Sequence, residues 1–122
     1  MKTAILMCTC SAACPSMEKI DFWELAERIR LTLPQNFVLL HPRLCEQDGE
    51  ALMEDLLKDD TLYMTLACAE NKQAKLLADG FARAGVSMDE QHWLPICMAA
   101  KDSDQVFEEV RAAISGLTEA TK

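Results

Sequence analysis

The chain has 122 residues, half of them hydrophobic, and 20 acidic residues against 12 basic ones give a net charge of −8. This size predicts one domain over residues 1–122, with an aliphatic core because only 6% of the residues are aromatic. The acidic balance argues against a nucleic-acid-binding protein, which needs Lys and Arg for its phosphate contacts, and against attraction to an anionic membrane surface.

The first half of the chain alternates strand and helix patterns twice. The apolar run Ala4–Cys8 predicts strand 1. A capping-box-like start at Asp21, followed by apolar residues at spacings of three and four, predicts a helix that ends at Pro34. Residues Phe37–Leu40 then predict strand 2, and a second helix is expected to begin at Asp48.

The second half repeats this alternation. Residues Thr61–Cys68 predict strand 3, and a single helix is expected from Asn71 to a C-terminal stop at Gly85. Residues Trp93–Cys97 predict strand 4, which should lie at a sheet edge because its proline cannot donate to the hydrogen-bond ladder. A fourth helix is expected after a cap at Asp102 or the next residue.

Four strands alternating with four helices predict an α/β fold with three layers and a four-stranded parallel sheet, of the Rossmann or flavodoxin-like type. Right-handed crossovers favour helices on both faces and the strand order 2-1-3-4, with a switch point at strands 1 and 3. Ligands of such sheets bind outside the carboxyl ends of the strands. No glycine-rich phosphate-binding motif follows strand 1, so nucleotide binding lacks its usual support.

Five of the six cysteines fall where predicted strands end. Cys8 and Cys10 close strand 1, and they point to the same side if the strand continues through both. Cys45 follows strand 2, and Cys68 and Cys97 close strands 3 and 4. Because parallel strands all end along one edge of the sheet, we expect these thiols to converge there. Convergent thiolates are typical of a metal site, an iron–sulfur site or a redox disulfide.

Two further residues lie near the same edge in the predicted fold. Cys14 departs from the strand-end pattern, and we expect it to be an unligated thiol. His41 follows strand 2 and is a candidate additional ligand. Backbone N–H groups at the helix starts that follow Cys45, Cys68 and Cys97 should favour the thiolate form of these residues.

The sequence leaves three classes of function open. No secretory signal or spanning segment is recognised, so we expect a cytoplasmic protein, without membrane insertion, whose thiols stay reduced. One class is an iron–sulfur electron carrier or redox subunit rather than a stand-alone enzyme. Another is a thiol–disulfide oxidoreductase that uses Cys8 with Cys10, or Cys10 with Cys14. The third is a docking module that is stabilised by zinc or free of metal. A homo-oligomer in which two copies share the site also stays open.

Several short segments, spread over nearly the whole chain, carry a resemblance to a known family. They are Cys8-Thr9-Cys10, Asp21-Phe22, Leu44-Cys45-Glu46-Gln47-Asp48-Gly49-Glu50, Ala67-Cys68, Ala84-Gly85-Val86 and Ile96-Cys97. With these segments the chain resembles the N-terminal domain of the heterodisulfide reductase A subunit, a flavin and iron–sulfur protein of methanogens and many anaerobes. The order of the cysteines and the segment from Cys45 to Gly49 are the specific parts of this resemblance.

The resemblance implies a [4Fe–4S] cluster held by Cys10, Cys45, Cys68 and Cys97, with Cys8 as a competing fifth thiol. In that family the subunit moves electrons through a flavin and further clusters. This sequence has neither a flavin domain nor a ferredoxin domain, so the resemblance implies a separate flavin- or iron–sulfur-containing protein as redox partner. Cys14 is additional to the family's pattern.

Overall fold

The computed structural model describes residues 2–10 and 14–120. Four strands form a parallel sheet in the order β2-β1-β3-β4. The predicted α/β fold, the strand order and the edge position of the last strand are therefore confirmed. The strands are β1 (Lys2–Cys8), β2 (Phe37–His41), β3 (Thr61–Ala67) and β4 (Trp93–Cys97).

Helices connect the strands, and two of the helix ends have clear capping residues. The Asp21 carboxylate accepts a hydrogen bond from the Glu24 backbone N–H at 3.1 Å, and Gly85, at φ 73°, follows the last residue of a helix. No helix in the described segments is both long enough and apolar enough to cross a bilayer. The helices are α1 (Phe22–Thr32), α2 (Gln47–Leu56), α3 (Glu70–Leu76), α4 (Ala78–Ala84) and α5 (Ser103–Ala120), with a short 3-10 turn at Pro15–Met17.

The sheet is buried on both faces, which gives the molecule its three layers. Ile5 and Met7 pack with the apolar sides of α1 and α5, whereas Ala4 and Leu6 pack with those of α2 and α4. This alternation follows from the two-residue period of a strand. All seven residues of β3 are buried, as expected for a central strand of a parallel sheet.

The prediction of one helix between strands 3 and 4 is wrong. Leu77, at ψ −7°, separates α3 from α4. Gln73 and Leu77 are both buried. The chain bends at Leu77, so that both of these side chains are buried. The regular apolar spacing of the sequence did not reveal that bend.

The first strand ends at Cys8, as predicted, and does not continue through Cys10. β1 stops at Cys8, and the Thr9 backbone N–H donates to the His41 carbonyl at 3.0 Å. Cys10 has φ 51°, a left-handed conformation that residues with a side chain rarely adopt. Strand alternation therefore does not place Cys8 and Cys10 on one side, because the chain turns after Thr9.

Candidate functional site

A cavity of about 170 Å³ lies at the carboxyl edge of the sheet, as the position of the switch point predicts. Its lining combines sulfur with apolar side chains, and Lys72 contributes a cation. The volume is comparable to the ~150 Å³ cavity that accommodates a benzene molecule in an engineered protein. The lining residues are Cys8, Cys10, Cys14, Met17, Cys45, Ala67, Cys68, Lys72, Gln73, Leu76 and Leu77.

Four of the five cysteines predicted for the site meet at this cavity. Cys8 is the last residue of β1, Cys68 follows β3 directly, and Cys45 lies two residues before α2. Cys10 reaches the cavity from the turn after β1. All of these thiols are free and partly buried.

Cys97 is not among the residues that line the cavity. Ala67 pairs with Cys97 in the sheet, and Met7 pairs with Leu66 on the other side of β3. Cys8 and Cys97 therefore lie in nearly the same row, two strand spacings or about 10 Å apart. The backbone carbonyl of Cys97 accepts a hydrogen bond from the Lys101 ammonium at 2.8 Å. The assignment of Cys97 as a ligand stays a prediction.

Cys45 is positioned by the close approach of α2 to the preceding loop. Leu44 is almost completely buried in the core beneath α2 and α4. A Cβ atom added to Gly49 would overlap the backbone of Leu44, so only glycine allows this approach. The segment from Leu44 to Gly49 thus fixes the Cys45 backbone at the cavity.

Gln73 holds the ends of β3 and β4 together. Its side chain is 1% exposed, and its amide nitrogen donates to the Cys68 carbonyl at 2.7 Å and to the Ile96 carbonyl at 3.1 Å. Its amide oxygen accepts from the Thr65 hydroxyl, which itself accepts from the Trp93 indole N–H at 2.8 Å. No sequence pattern indicates this role, because a glutamine on an amphipathic helix usually faces solvent.

Cys14 reaches the cavity from the start of the 3-10 turn, so it lies beside the other thiols although it departs from the strand-end pattern. Its assignment as an unligated thiol stays a prediction. Its sulfur lies 3.0 Å from the Ser16 hydroxyl, and its carbonyl accepts from the Met17 N–H at 3.0 Å. The hydrogen bond to Ser16 lowers the pKa of Cys14, and the Cys10 side chain adds a smaller hydrogen-bonding effect in the same direction. The Ala100 N–H donates to the Ser16 carbonyl at 2.7 Å, so the β4–α5 connection supports this turn.

The thiols at the cavity interact electrostatically. Burial raises the pKa of Cys10, Cys45 and Cys68, and the negative charge of a Cys8 thiolate raises it further in all three. Cys45 also contributes to raising the pKa of Cys10 and Cys68. These thiols are therefore close enough for the charge of one to change the pKa of another.

Two cations oppose this accumulation of negative charge in an otherwise acidic protein. Arg43 lowers the pKa of Cys10 and Cys45, although burial and the neighbouring thiolates outweigh it, and Lys72 acts in the same way on Cys68. The Arg43 guanidinium is also paired with the Glu46 carboxylate at 2.8 Å. Neighbouring positive charge of this kind stabilises a thiolate or a bound anion.

His41 contacts α2 with one ring nitrogen and the loop before α2 with the other. Nε2 lies 2.6 Å from the Asp48 carboxylate, and Nδ1 accepts a hydrogen bond from the Arg43 backbone N–H at 3.0 Å. His41 is not among the residues that line the cavity. Its interpretation as an additional ligand has no support from this geometry.

The thiols share a cavity, but their sulfurs are not gathered around a point. Within residues 2–10 and 14–120, no group of three or more His, Cys, Asp or Glu side chains is arranged to hold a metal ion. The arrangement offers two kinds of chemistry: thiolate ligation, if the side chains rotate inward, and exchange between thiols and disulfides.

Comparison with known proteins identifies no relative. The sequence matches no protein-family model, and no curated protein sequence matches it significantly. The resemblance to the heterodisulfide reductase A subunit therefore stays a prediction.

Proposed function

We propose that this chain binds an iron–sulfur cluster through the thiolates of Cys8, Cys10, Cys45 and Cys68 and serves as an electron carrier or a redox subunit. The observation that carries this proposal is that these four thiols line one cavity. Cys8 replaces Cys97 in the ligand set that the resemblance implied, because Cys8 lines the cavity with the other three thiols and Cys97 does not.

The donor set and the surroundings of the cavity suit such a group. Iron–sulfur clusters take thiolate ligands, and among the described residues no carboxylate or imidazole side chain lines this cavity. Lys72 and the nearby Arg43 offset the negative charge of four thiolates. When bound, the cluster would accept and donate single electrons.

The other lining residues would tune that chemistry by restricting water. Met17 and Leu77 are buried, and Leu76 is 41% exposed at the side of α3. Apolar surroundings and solvent access both shift the reduction potential of a cluster. The sulfurs must move inward to reach a common centre, which rotation about the Cα–Cβ bond allows without unfolding a strand.

The first experiment is anaerobic purification followed by analysis of iron, acid-labile sulfide and zinc, with electron paramagnetic resonance of the reduced protein. We expect about four iron and four sulfide ions per chain for a [4Fe–4S] cluster. A chain that stays free of iron and sulfide after anaerobic reconstitution would contradict the proposal. Stoichiometric, redox-silent zinc would indicate the zinc-stabilised module instead.

A matched pair of variants tests the ligand set. Cys8→Ser removes a thiol from the cavity, whereas Cys97→Ser removes one from the end of the neighbouring strand β4. We expect Cys8→Ser to lose most of its iron and Cys97→Ser to retain the iron content and spectrum of the unmodified chain. The reverse result would restore the ligand set of the resembling family and contradict the one proposed here.

The proposal includes a partner and a compartment. An electron carrier needs a donor and an acceptor, and the resemblance points to a flavin- or iron–sulfur-containing protein for one of them. All six cysteines are free thiols, which is the usual state in a reducing cytoplasm. Reduction of the reconstituted protein by a purified flavoprotein reductase, followed optically, is the corresponding measurement.

A further inference from the structure

We propose that Cys10 and Cys14 form a redox-active dithiol that reduces small disulfides, an activity that needs no bound metal. Both thiols line the cavity at the carboxyl edge, and they are four residues apart in the chain. The hydrogen bond from Ser16 lowers the pKa of Cys14, and the Cys10 side chain adds a smaller effect in the same direction. Cys14 is not one of the four proposed cluster ligands but Cys10 is, so the dithiol acts in the chain without its cluster.

The backbone on both sides of the pair explains why both thiols reach the cavity. Cys10 adopts φ 51°, which turns the chain away from the direction of β1. Beyond Cys14, the Met17 N–H donates to the Cys14 carbonyl, and the buried Met17 side chain anchors the turn in the core. Strain of this kind is often found at functional sites.

The alternative pair, Cys8 with Cys10, is disfavoured by the same geometry. Cys8 ends a regular strand, and its nearest hydrogen-bonding partner is the Pro42 carbonyl, 3.9 Å from the sulfur. Residues two apart close a small, strained disulfide ring. The two expectations that the sequence left open are therefore resolved in favour of Cys10 with Cys14.

The hydrogen bond from Ser16 indicates that the Cys14 sulfur is the one that attacks the disulfide. Its hydroxyl lies 3.0 Å from the Cys14 sulfur and can donate a hydrogen bond to a thiolate there. Cys10 then serves as the resolving thiol.

The substrate class follows from the positive charge at the mouth of the cavity, where one end of a small disulfide would bind. Lys72 lines the cavity and Arg43 lies near it, so a small disulfide with carboxylate groups is favoured over a cationic one. Glutathione disulfide is a probe of this class. A cystamine probe, which carries amines in place of carboxylates, provides the matched comparison.

The exchange proceeds in two balanced steps. The Cys14 thiolate attacks one sulfur of the small disulfide, so a mixed disulfide forms, the original S–S bond breaks, and one thiolate leaves and takes a proton from water. Cys10 then loses its proton to solvent and attacks the Cys14 sulfur. The Cys10–Cys14 disulfide forms and the second thiolate leaves, so the protein is oxidised by two electrons and the small disulfide is reduced to two thiols.

The test uses the reduced, metal-free full chain with glutathione disulfide, alkylation of the remaining thiols, and peptide mapping by mass spectrometry. We expect one intramolecular disulfide between Cys10 and Cys14 and two equivalents of glutathione released. Cys10→Ser should stop at a stable glutathione adduct on Cys14, and Cys14→Ser should slow glutathione release at least tenfold. Cystamine should react more slowly than glutathione disulfide with the unmodified chain.

Other pairings or reactivities would overturn the proposal. An intramolecular disulfide that excludes Cys14, or equal rates for the unmodified chain and Cys14→Ser, contradicts it. Iron and sulfide content after anaerobic reconstitution is measured separately on Cys14→Ser, which should retain the cluster. Loss of disulfide exchange with a normal cluster, or the reverse, therefore distinguishes failure of this inference from failure of the proposed function.

Discussion

β3 and β4 end side by side at one edge of the sheet, but their terminal cysteines differ in what they reach. Cys68 lines the thiol cavity, whereas Cys97 does not. After β3 the chain enters α3, and three residues of α3 together with Leu77 border the cavity. After β4 the chain leads to α5, which packs on the opposite face with α1. Parallel topology brings strand ends to one edge, but the connection that follows each strand decides which of them share a site.

The two strand ends are nevertheless linked through Gln73, and cutting that link gives the largest expected effect. Gln73→Leu leaves the Cys68 and Ile96 carbonyls and the Thr65 hydroxyl without the partner that they have in the folded chain. We expect the free energy of unfolding to fall by about 3 kcal/mol, because unsatisfied buried polar groups cost ~1–3 kcal/mol each and relaxation recovers part of this. Urea denaturation measures it.

Asn71→Leu is the matched control, because it introduces the same side chain at an exposed position two residues earlier on α3. It should change stability by less than about 0.5 kcal/mol. The rate of Cys68 alkylation supplies a second readout, and it should rise in Gln73→Leu but not in the control. Equal stability of the two variants would mean that Gln73 does not couple the ends of β3 and β4.

The loop between β2 and α2 reaches the cavity because α2 packs closely against it. Gly49→Ala should destabilise the chain by about 2 kcal/mol, as is typical of overpacking, because the new methyl group overlaps the Leu44 backbone. Faster Cys45 alkylation should accompany the loss. Thermal unfolding and thiol labelling check both effects.

Gly80→Ala controls for helix propensity, since the methyl group there meets only the flexible side chain of Met53. It should cost less than Gly49→Ala, because the Met53 side chain can move and a backbone cannot. A larger loss for Gly80→Ala would show that the contact between Gly49 and Leu44 does not control the position of Cys45.

The sequence predicted the fold well because its signals are local and periodic. Apolar runs, the Asp21 cap and the Gly85 stop defined nearly every element, and the crossover rule supplied the strand order. The bend at Leu77 was missed because the apolar spacing continues through it. The convergence of Cys8, Cys10, Cys45 and Cys68 at one cavity follows from topology, and it holds in the structure.

The details of the site that the sequence did not reveal have a different physical origin. The position of Cys97 depends on strand spacing across the sheet, and the inclusion of Cys14 depends on a left-handed residue and a 3-10 turn, neither of which has a periodic signature. The hydrogen bonds of Gln73 join residues that are distant in sequence. Such features are properties of tertiary contacts, so a single sequence does not reveal them.

The end of β4 does contribute to the site, but through a backbone amide and not through its thiol. Ala100 has φ 60°, and its N–H donates to the Ser16 carbonyl beside Cys14. Ala100→Gly should stabilise the chain by about 0.5–1 kcal/mol, because glycine adopts this left-handed conformation without steric cost. Ala99→Gly, one residue earlier and outside that conformation, should not stabilise it, and thermal unfolding compares the two.

The smallest expected effect is a pH dependence of the metal-free protein, small because the thiols are partly solvated. The pKa of Cys10, Cys45 and Cys68 is raised in the folded state, mainly by burial, so the native chain keeps protons that the unfolded chain releases above about pH 8.5. The contribution of these three thiols to stability should therefore be fully present below that pH. It should be lost as the pH rises through their pKa values in the folded chain.

The pKa shift of Cys14 has the opposite sign, so the pH dependence of stability tests whether the thiols differ in this way. Its pKa is lowered by the hydrogen bond to Ser16, so its contribution to stability grows as the pH rises. Urea midpoints between pH 7 and pH 10 should fall less steeply for Cys68→Ser than for the unmodified chain, and more steeply for Cys14→Ser. Titration of Lys and Tyr is common to all three proteins and cancels in the differences. Identical slopes would show that burial at the cavity does not distinguish these two thiols in solution.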